Sequence, residues 1–119
     1  MPNPYGAPEI TVQEVAEKRE NGEEFILMDV REAHELNLAD LGQGVTLVPL
    51  SQLAAIQLDA LPPEIADNKD VEIVVLCHTG NRSGQVTMWL RHQGWTNVLN
   101  MAGGIDAYAR QIDPDVGLY

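Results

Sequence analysis

The sequence predicts an α/β domain with a mostly parallel central sheet and helices on both faces. Short runs of consecutive apolar residues, Phe25–Met28 and Ile73–Leu76 among them, alternate with segments of helical character. Such runs are typical of strands covered on both faces, and strand–helix alternation is typical of a parallel sheet. The 119 residues suffice for one domain, and no repeat, linker or low-complexity segment suggests a second.

The first half of the chain predicts two strands and three helices. Thr11 and Glu14 have the spacing of a capping box, which predicts a helix running to about Asn21. A strand is expected over Phe25–Met28, ending in Asp29. The other expected elements are a short helix over 32–38, a strand over 45–48 closed by Pro49, and a helix over 51–58 capped by Ser51 and terminated by Pro62-Pro63.

The second half holds the clearest strand of the sequence, over 72–76, where isoleucine and two valines stand in an apolar row. A polar loop follows over 77–83. The remaining expected elements are a helix over 83–92 with Val86, Trp89 and Leu90 on one face and Gly94 at its end, a strand over 98–99, a turn at Gly103-Gly104, and a helix over 105–112 stopped before Pro114.

The ends of the chain predict no targeting segment. Residues 1–8 contain three prolines, no basic residue and no apolar run, so we expect a flexible segment followed by a single domain over 9–119. The longest apolar stretch, 73–77, is too short for a membrane helix. Since the single cysteine cannot form an internal disulfide, a cytoplasmic protein with a reduced thiol is expected.

The charge excludes two classes of partner. Acidic side chains number 18 against 7 basic ones, a net charge of -11, which repels nucleic-acid phosphates and anionic membranes. One cysteine and three scattered histidines show no metal-ligand spacing, so neither a metal nor a cofactor is predicted. The segment 77–112 differs from the rest, because it carries three arginines against one aspartate and is locally basic.

Cys77 is the candidate reactive residue. It stands at the end of a buried strand, where open α/β sheets bind ligands. If residues 78–83 curl around the sulfur, with Gly80 at positive φ, their N–H groups and the positive end of the next helix stabilise a thiolate. Arg82 would bind an anionic substrate or hold the loop through a carboxylate. The alternative is that Cys77 ends a core strand as a small apolar residue, but the polar loop favours function.

The spacing of the loop distinguishes between anion chemistries. Four residues separate Cys77 from Arg82, a C-x4-R pattern, whereas the phosphatase cradle resembles C-x5-R. The shorter loop makes a smaller ring of amides, which suits a single terminal sulfur better than a phosphate. The pattern therefore disfavours a phosphatase or an arsenate reductase.

An ordered set of motifs over residues 9–119 resembles the rhodanese family, and in particular its single-domain bacterial members. The loop 77–83 is similar to the family's active-site loop. The other matching segments are Asp29-Val30-Arg31-Glu32, Val48-Pro49-Leu50, Gly94-Trp95-Thr96-Asn97-Val98, the stretch 101–108 with its Gly-Gly-Ile, and the tail 113–119. An ordered set is far more specific than one loop.

The resemblance implies a rhodanese-like fold and a sulfurtransferase. Cys77 would take the sulfane sulfur of a donor such as thiosulfate, become a persulfide, and pass the sulfur to cyanide or a thiol. An alternative is a relay that delivers sulfur to a protein partner in a thiolation or cofactor pathway. A non-catalytic binding module is disfavoured because the nucleophile is present. The implied substrate- and anion-binding loop consists of His78, Thr79, Gly80, Asn81, Arg82 and Ser83.

Asp29 and Arg31 are expected to support the site. The resemblance places their strand end beside the loop, where Asp29 would accept loop N–H bonds or pair with an arginine; an ordinary strand-end turn is the alternative. His78 is either a base for Cys77 or, as we favour, a loop side chain that touches substrate. We expect His34 and His92 at the surface and Trp89, Trp95 and Tyr108 in the core.

Two departures from the family pattern concern the donor. Many members carry G-H-I-x-G-A where this chain has a different sequence over 38–45, and the active-site loop lacks the lysine of some thiosulfate-using members. Neither departure affects the nucleophile.

Overall fold

The computed structural model describes residues 3–119, which form one parallel sheet of five strands with helices on both faces. The strands are β1 (Glu9–Ile10), β2 (Ile26–Asp29), β3 (Val45–Leu47), β4 (Ile73–Leu76) and β5 (Val98–Met101). Their order across the sheet is β1-β5-β4-β2-β3, and every neighbouring pair is parallel. The predicted α/β class is confirmed, with β4 at the centre of the sheet.

The helices divide between the two faces of the sheet. They are α1 (Val12–Glu20), α2 (Leu50–Ile56), α3 (Pro63–Ala66), α4 (Asn81–His92) and α5 (Gly104–Gln111), with 3-10 turns at Ala33–Asn37, Gln57–Ala60 and Pro114–Val116. One cluster of buried residues joins α1 and α5 to the sheet, and a second joins α2, α3 and α4 to the opposite face.

The position of β4 between the two layers of helices explains why its sequence is continuously apolar. Val74 and Leu76 point into the α1/α5 cluster, whereas Ile73, Val75 and the following Cys77 belong to the α2–α4 cluster. Side chains alternate between the faces of a strand, so a strand covered on both faces must be apolar at every position. Cys77 is therefore part of one core face and the first residue beyond the strand.

The start of α1 agrees with the capping box read from the sequence. The Glu14 N–H donates to Thr11 Oγ1 over 3.1 Å, and the Thr11 N–H donates to a Glu14 carboxylate oxygen over 3.0 Å. These reciprocal bonds satisfy two donors that a helix start leaves without partners.

Several element boundaries differ from those expected. Ser51 is not a cap, because α2 begins at Leu50 directly after Pro49, and the Ser51 hydroxyl instead donates to the Glu32 carboxylate over 2.6 Å. Pro63 does not end a helix but begins α3, since its missing N–H is no loss in a first turn. The other differences are the unexpected strand β1, the 3-10 turn in place of a helix over 32–38, the extension of β5 to Met101, and the earlier start of α4 at Asn81.

Within residues 3–8, the described part of the segment expected to be flexible, Asn3 and Ala7 are buried against the domain, whereas residues 4–6 are exposed. Asn3 is 8% exposed, and its amide group bonds to Ala7 and to the Glu9 carboxylate. Its side chain lies against Gly84 at the start of α4, where a Cβ atom would come within 2.9 Å of it. Met1 and Pro2 lie outside the described residues. In the described part of the chain no helix is long and apolar enough to span a membrane.

Candidate active site

Cys77 lies where β4 leaves the sheet, and the chain after it curls around the sulfur as predicted. The side chain is buried, with only 1% of the residue exposed. The N–H groups of Gly80 and Ser83 donate to Sγ over 3.2 and 3.3 Å. Gly80 has φ 102°, a conformation that L side chains rarely adopt, so glycine permits the curl. Two of the six loop amides thus bond directly to the sulfur.

Ser83 brings a third polar group to the sulfur. Its hydroxyl oxygen lies 3.2 Å from Sγ and 2.5 Å from Asn100 Oδ1. A hydroxyl has one proton, so it donates a hydrogen bond either to Asn100 or to Sγ. When it donates to Asn100, its oxygen can accept a hydrogen bond from the thiol. Asn100, on β5, also donates from Nδ2 to the Gly80 carbonyl over 3.1 Å. It therefore holds the loop at its glycine and at its serine.

The start of α5 docks on the first two residues of the loop. The N–H groups of Ile105 and Asp106 donate to the carbonyls of Cys77 and His78 over 2.9 and 3.0 Å. A side chain at Gly104 would overlap the same two carbonyls, and its φ is +64°. Only glycine allows this close approach. The Gly103-Gly104 turn therefore serves to dock the helix on the loop.

Arg82 is held by a carboxylate, one of the two roles expected of it. Its guanidinium donates two parallel hydrogen bonds to Glu35 over 2.7 and 2.8 Å. Glu35 also accepts from the Glu32 N–H over 2.8 Å and from the Tyr119 hydroxyl over 2.8 Å. The hydrogen bonds from Arg82 are the main reason that the pKa of Glu35 falls from 4.5 to about 2. The pair also raises the pKa of Arg82.

This pairing corrects the expectation of a locally basic site. Arg82 is neutralised by Glu35, which comes from outside the segment 77–112, and Arg110 pairs with Asp106 within it over 3.0 Å. The net charge of a sequence segment does not include charged residues that the fold brings next to it from other parts of the chain.

Asp29 pairs with Arg31, the second of the two roles considered for it. Arg31 Nη2 lies 2.7 Å from Asp29 Oδ2, and both side chains are almost fully buried, at 0% and 2% exposed. Arg31 also donates from Nη1 to the Glu35 carbonyl and to the Tyr119 hydroxyl, both over 3.3 Å. Burial alone would lower the pKa of Arg31, but the bonds to Asp29 and Tyr119 outweigh it and raise that pKa. This buried pair braces the chain around Glu35.

Within residues 3–119, the remaining loop side chains form no hydrogen bond with the sulfur, whose partners are Gly80 and Ser83. His78 forms no hydrogen bond with Sγ; its ring stacks on Tyr119, with centroids 3.8 Å apart and an interplanar angle of 11°. Its Nε2 atom is buried and finds no hydrogen-bond partner within residues 3–119. Thr79 and Asn81 are exposed. The other expected placements agree: His34 and His92 are exposed, Trp95 and Tyr108 are buried, and Trp89 is half-buried.

Three residues of the site were not singled out in the sequence, namely Glu35, Asn100 and Tyr119, and Gly104 was expected only as part of a turn. Glu35 and Tyr119 reach the loop from segments far from Cys77 in sequence, and Asn100 is a polar residue inside a strand that was expected to end before it. Only the Gly-Gly turn and the tail carried a signal, since both belong to the family-like motifs. Over residues 3–119, no three or more His, Cys, Asp or Glu side chains are arranged to hold a metal ion.

Comparison with known proteins agrees with this site. The family model described as Rhodanese-like domain matches residues 11–111, which include β2, the Cys77 loop and α5. The chain belongs to this family. The rhodanese family resemblance read from the motifs is thereby confirmed.

Relatives within the rhodanese-like family include sulfurtransferases. A protein named Sulfurtransferase from Allochromatium vinosum is 31% identical over 86% of this chain and 88% of its own. The adenylyltransferase and sulfurtransferase MOCS3-1 of Zea mays is 34% identical over 92% of this chain, which spans only 23% of the maize protein. The structure of human single-domain sulfurtransferase TSTD1 superposes with a TM-score of 0.70 at 27% identity, covering 89% of this chain and 98% of that one.

Proposed function

We propose that this chain is a sulfurtransferase that carries sulfane sulfur as a persulfide on Cys77. One observation carries the proposal: a buried sulfur at the end of β4, in a C-x4-R loop, accepts N–H bonds from Gly80 and Ser83. Negative charge on a buried sulfur needs donors that are already in place, and backbone amides need no reorganisation during the reaction. The sulfurtransferases among the relatives support the same reaction class.

The reaction has two displacements at sulfur. In the first, the Cys77 thiolate attacks the outer sulfur of thiosulfate, the donor's S–S bond breaks, and sulfite leaves with the bonding electrons. In the second, cyanide or a thiolate attacks the outer sulfur of the persulfide, and Cys77 leaves as the thiolate. No metal or cofactor takes part, and no external oxidant is needed, because each S–S bond broken is replaced by a new bond to the same sulfur.

The loop supplies the groups that stabilise the charge. The amides of Gly80 and Ser83 bond to Sγ itself, and the Ser83 hydroxyl can turn from Asn100 to the sulfur. The first-turn N–H groups of a helix have no carbonyl to bond within it, so those of Asn81 and Arg82 are available to the outer sulfur of the persulfide. In this proposal Arg82 and the Asp29–Arg31 pair hold the loop in shape.

A relay to a protein acceptor is the second candidate. It is favoured by the similarity to MOCS3-1, in which a matching segment is part of a longer adenylyltransferase and sulfurtransferase. The same Cys77 persulfide would then be attacked by a thiol or other nucleophile of the partner. We place either reaction in the cytoplasm, where a lone thiol stays reduced. A phosphatase remains disfavoured by the C-x4-R spacing.

The first prediction tests the persulfide directly. Incubation with thiosulfate should add the mass of one sulfur atom to the intact protein, because Cys77 is the only cysteine of the chain. Cyanide should remove the added mass, and Cys77→Ser should acquire none. Intact-mass spectrometry measures all three.

The matched control is His92→Ala, which removes an exposed histidine at the end of α4, leaves the nucleophile and its loop in place, and should still acquire one sulfur. Failure of the wild type to take up sulfur from thiosulfate or from any persulfide donor would refute the proposal. Hydrolysis of an aryl phosphate without sulfur uptake would favour the phosphatase instead.

A further inference from the structure

Tyr119 is the member of the site whose role is unexplained. It lies in the segment that follows α5, more than forty residues from Cys77, and its side chain is only partly exposed. The hydroxyl donates to Glu35 Oε1 over 2.8 Å and accepts from Arg31 Nη1 over 3.3 Å. The ring stacks on His78. One side chain therefore contacts three residues from two separate segments around the loop.

The hydroxyl acts on the far end of the loop through Glu35. Both carboxylate oxygens of Glu35 bond to Arg82, and Tyr119 and the Glu32 N–H occupy one further position on each oxygen. A carboxylate whose four acceptor positions are filled is fixed in direction. Arg82 immediately precedes Ser83, whose N–H bonds to Sγ. Loss of the hydroxyl would free Glu35 to turn and would loosen Arg82.

The ring acts on the near end of the loop. His78 directly follows Cys77, and its buried Nε2 has no hydrogen-bond partner among the described residues, so stacking on Tyr119 is the contact that orients this ring. Stacked aromatic rings stabilise one another beyond the area that they bury. The two halves of the Tyr119 side chain thus hold the two ends of the loop.

We propose that Tyr119 is a positioning residue for sulfur transfer, which holds the Cys77 loop at Arg82 through Glu35 and at His78 by ring stacking. This inference rests on the proposed function. Tyr119 bonds to residues that shape the loop, so it should affect the rate of sulfur loading more than the binding of the donor. If Tyr119 merely blocked access to the sulfur, its replacement would raise the rate of sulfur loading instead of lowering it.

The test compares Tyr119→Phe, which keeps the ring, with Tyr119→Leu, which removes both contacts. We expect the limiting rate of sulfur loading from thiosulfate, measured in single turnovers, to fall about threefold in Tyr119→Phe and about tenfold in Tyr119→Leu. The half-saturating thiosulfate concentration should stay within about twofold of the wild type. The matched control is Tyr108→Phe, which removes a tyrosine hydroxyl that also bonds to an arginine, Arg19, on the α1/α5 face; its limiting rate should not change.

A second measurement does not depend on any donor. Hydrogen exchange at the Gly80 and Ser83 amides, followed by NMR, should be faster in Tyr119→Leu than in the wild type and unchanged in Tyr108→Phe. The inference would be overturned if Tyr119→Leu left both the amide exchange and the limiting rate unchanged, or left the exchange unchanged and raised the rate. It would also be overturned if the limiting rate fell equally in Tyr108→Phe. A wild type that takes up no sulfur, with amides that still respond to Tyr119→Leu, would overturn the proposed function while showing that Tyr119 holds the loop.

Discussion

At the scale of single residues, Glu35 holds the Cys77 loop through Arg82, although it lies far from this loop in the sequence. It comes from a 3-10 turn after β2, and it neutralises Arg82 by two short hydrogen bonds. Such bidentate bonds between an arginine and a carboxylate are stronger than neutral ones and fix the direction of both groups. The lowered pKa of Glu35 follows from this preference for the charged form.

Glu35 should therefore contribute a pH-dependent part of the stability. Its pKa is 4.5 in the unfolded chain and about 2 in the folded one, so its contribution is complete above pH 4.5 and is lost as the pH falls through 2. Because a third of the Arg82 side chain is exposed, solvent screening limits the contribution to about 1–2 kcal/mol at pH 7. The difference in unfolding free energy between the wild type and Glu35→Gln should shrink across this range in denaturant titrations.

The control is Glu24→Gln, which removes an exposed carboxylate away from the site. Its unfolding free energy should differ little from that of the wild type at every pH. A Glu35→Gln difference that stayed constant from pH 6 to pH 2 would contradict the assigned pKa.

At the scale of elements, three of the chain segments that build the site meet at the carboxyl edge of the sheet. β4 delivers Cys77, β5 delivers Asn100, and the start of α5 bonds to the loop carbonyls. In a parallel sheet the ends of neighbouring strands lie at one edge, which explains why residues distant in sequence meet there. The contact between α5 and the loop leaves no room for a side chain at position 104, where a Cβ atom would overlap the carbonyls of Cys77 and His78.

Replacing Gly104 by alanine should disturb both stability and transfer. The new Cβ would lie 2.6 Å from the Cys77 carbonyl, and the φ of +64° is unfavourable for alanine. We expect a loss of about 2–4 kcal/mol in unfolding free energy, measured by denaturant titration, together with slower sulfur loading.

Gly22→Ala provides a control for the backbone strain alone. Gly22 has a similar φ of +67°, but no atom lies within 4 Å of an added Cβ. That substitution should cost about 1 kcal/mol and leave sulfur loading unchanged. Equal losses for the two variants would show that the close approach at Gly104 has no energetic consequence.

At the scale of the whole molecule, the net charge of -11 surrounds a site whose own charges cancel. Arg82 and Arg31 are both paired with carboxylates, so no free cation of the loop opposes the acidic surface. If the donor is dianionic, as the proposed thiosulfate is, it would approach against the summed field of the molecule. The effect acts over distances comparable to the Debye length and is sensitive to salt.

Salt should accordingly help the reaction with thiosulfate. We expect KM for thiosulfate to fall about two- to threefold when an inert salt is raised from about 20 to 200 mM, because the acidic surface is screened. Steady-state rates with cyanide as the acceptor measure this, and sucrose at equal osmolality provides the control. A KM that rises steeply with salt would show that a basic field dominates at the site.

Much of the site could be predicted before the structure. Apolar runs located the central strands, the capping box located α1, and the polar stretch with Gly80 suggested a loop curled around Cys77, since each is a local pattern. The predicted helix boundaries were wrong where contacts with other parts of the chain decide them. Ser51 has the composition of a helix cap, yet Glu32 binds its hydroxyl, and Pro63 begins a helix instead of ending one.

The sequence by itself determined the fold class, the family and the candidate nucleophile, because these depend on residue types at short spacings. Only the tertiary structure decided what Arg82 does, since its partner Glu35 stands 47 positions earlier in the chain. The same holds for Asn100, Gly104 and Tyr119, which the sheet and the tail bring to the loop. The physical reason is that hydrogen bonds and ion pairs form between groups close in space, and sequence spacing reports such closeness only within a single element or turn.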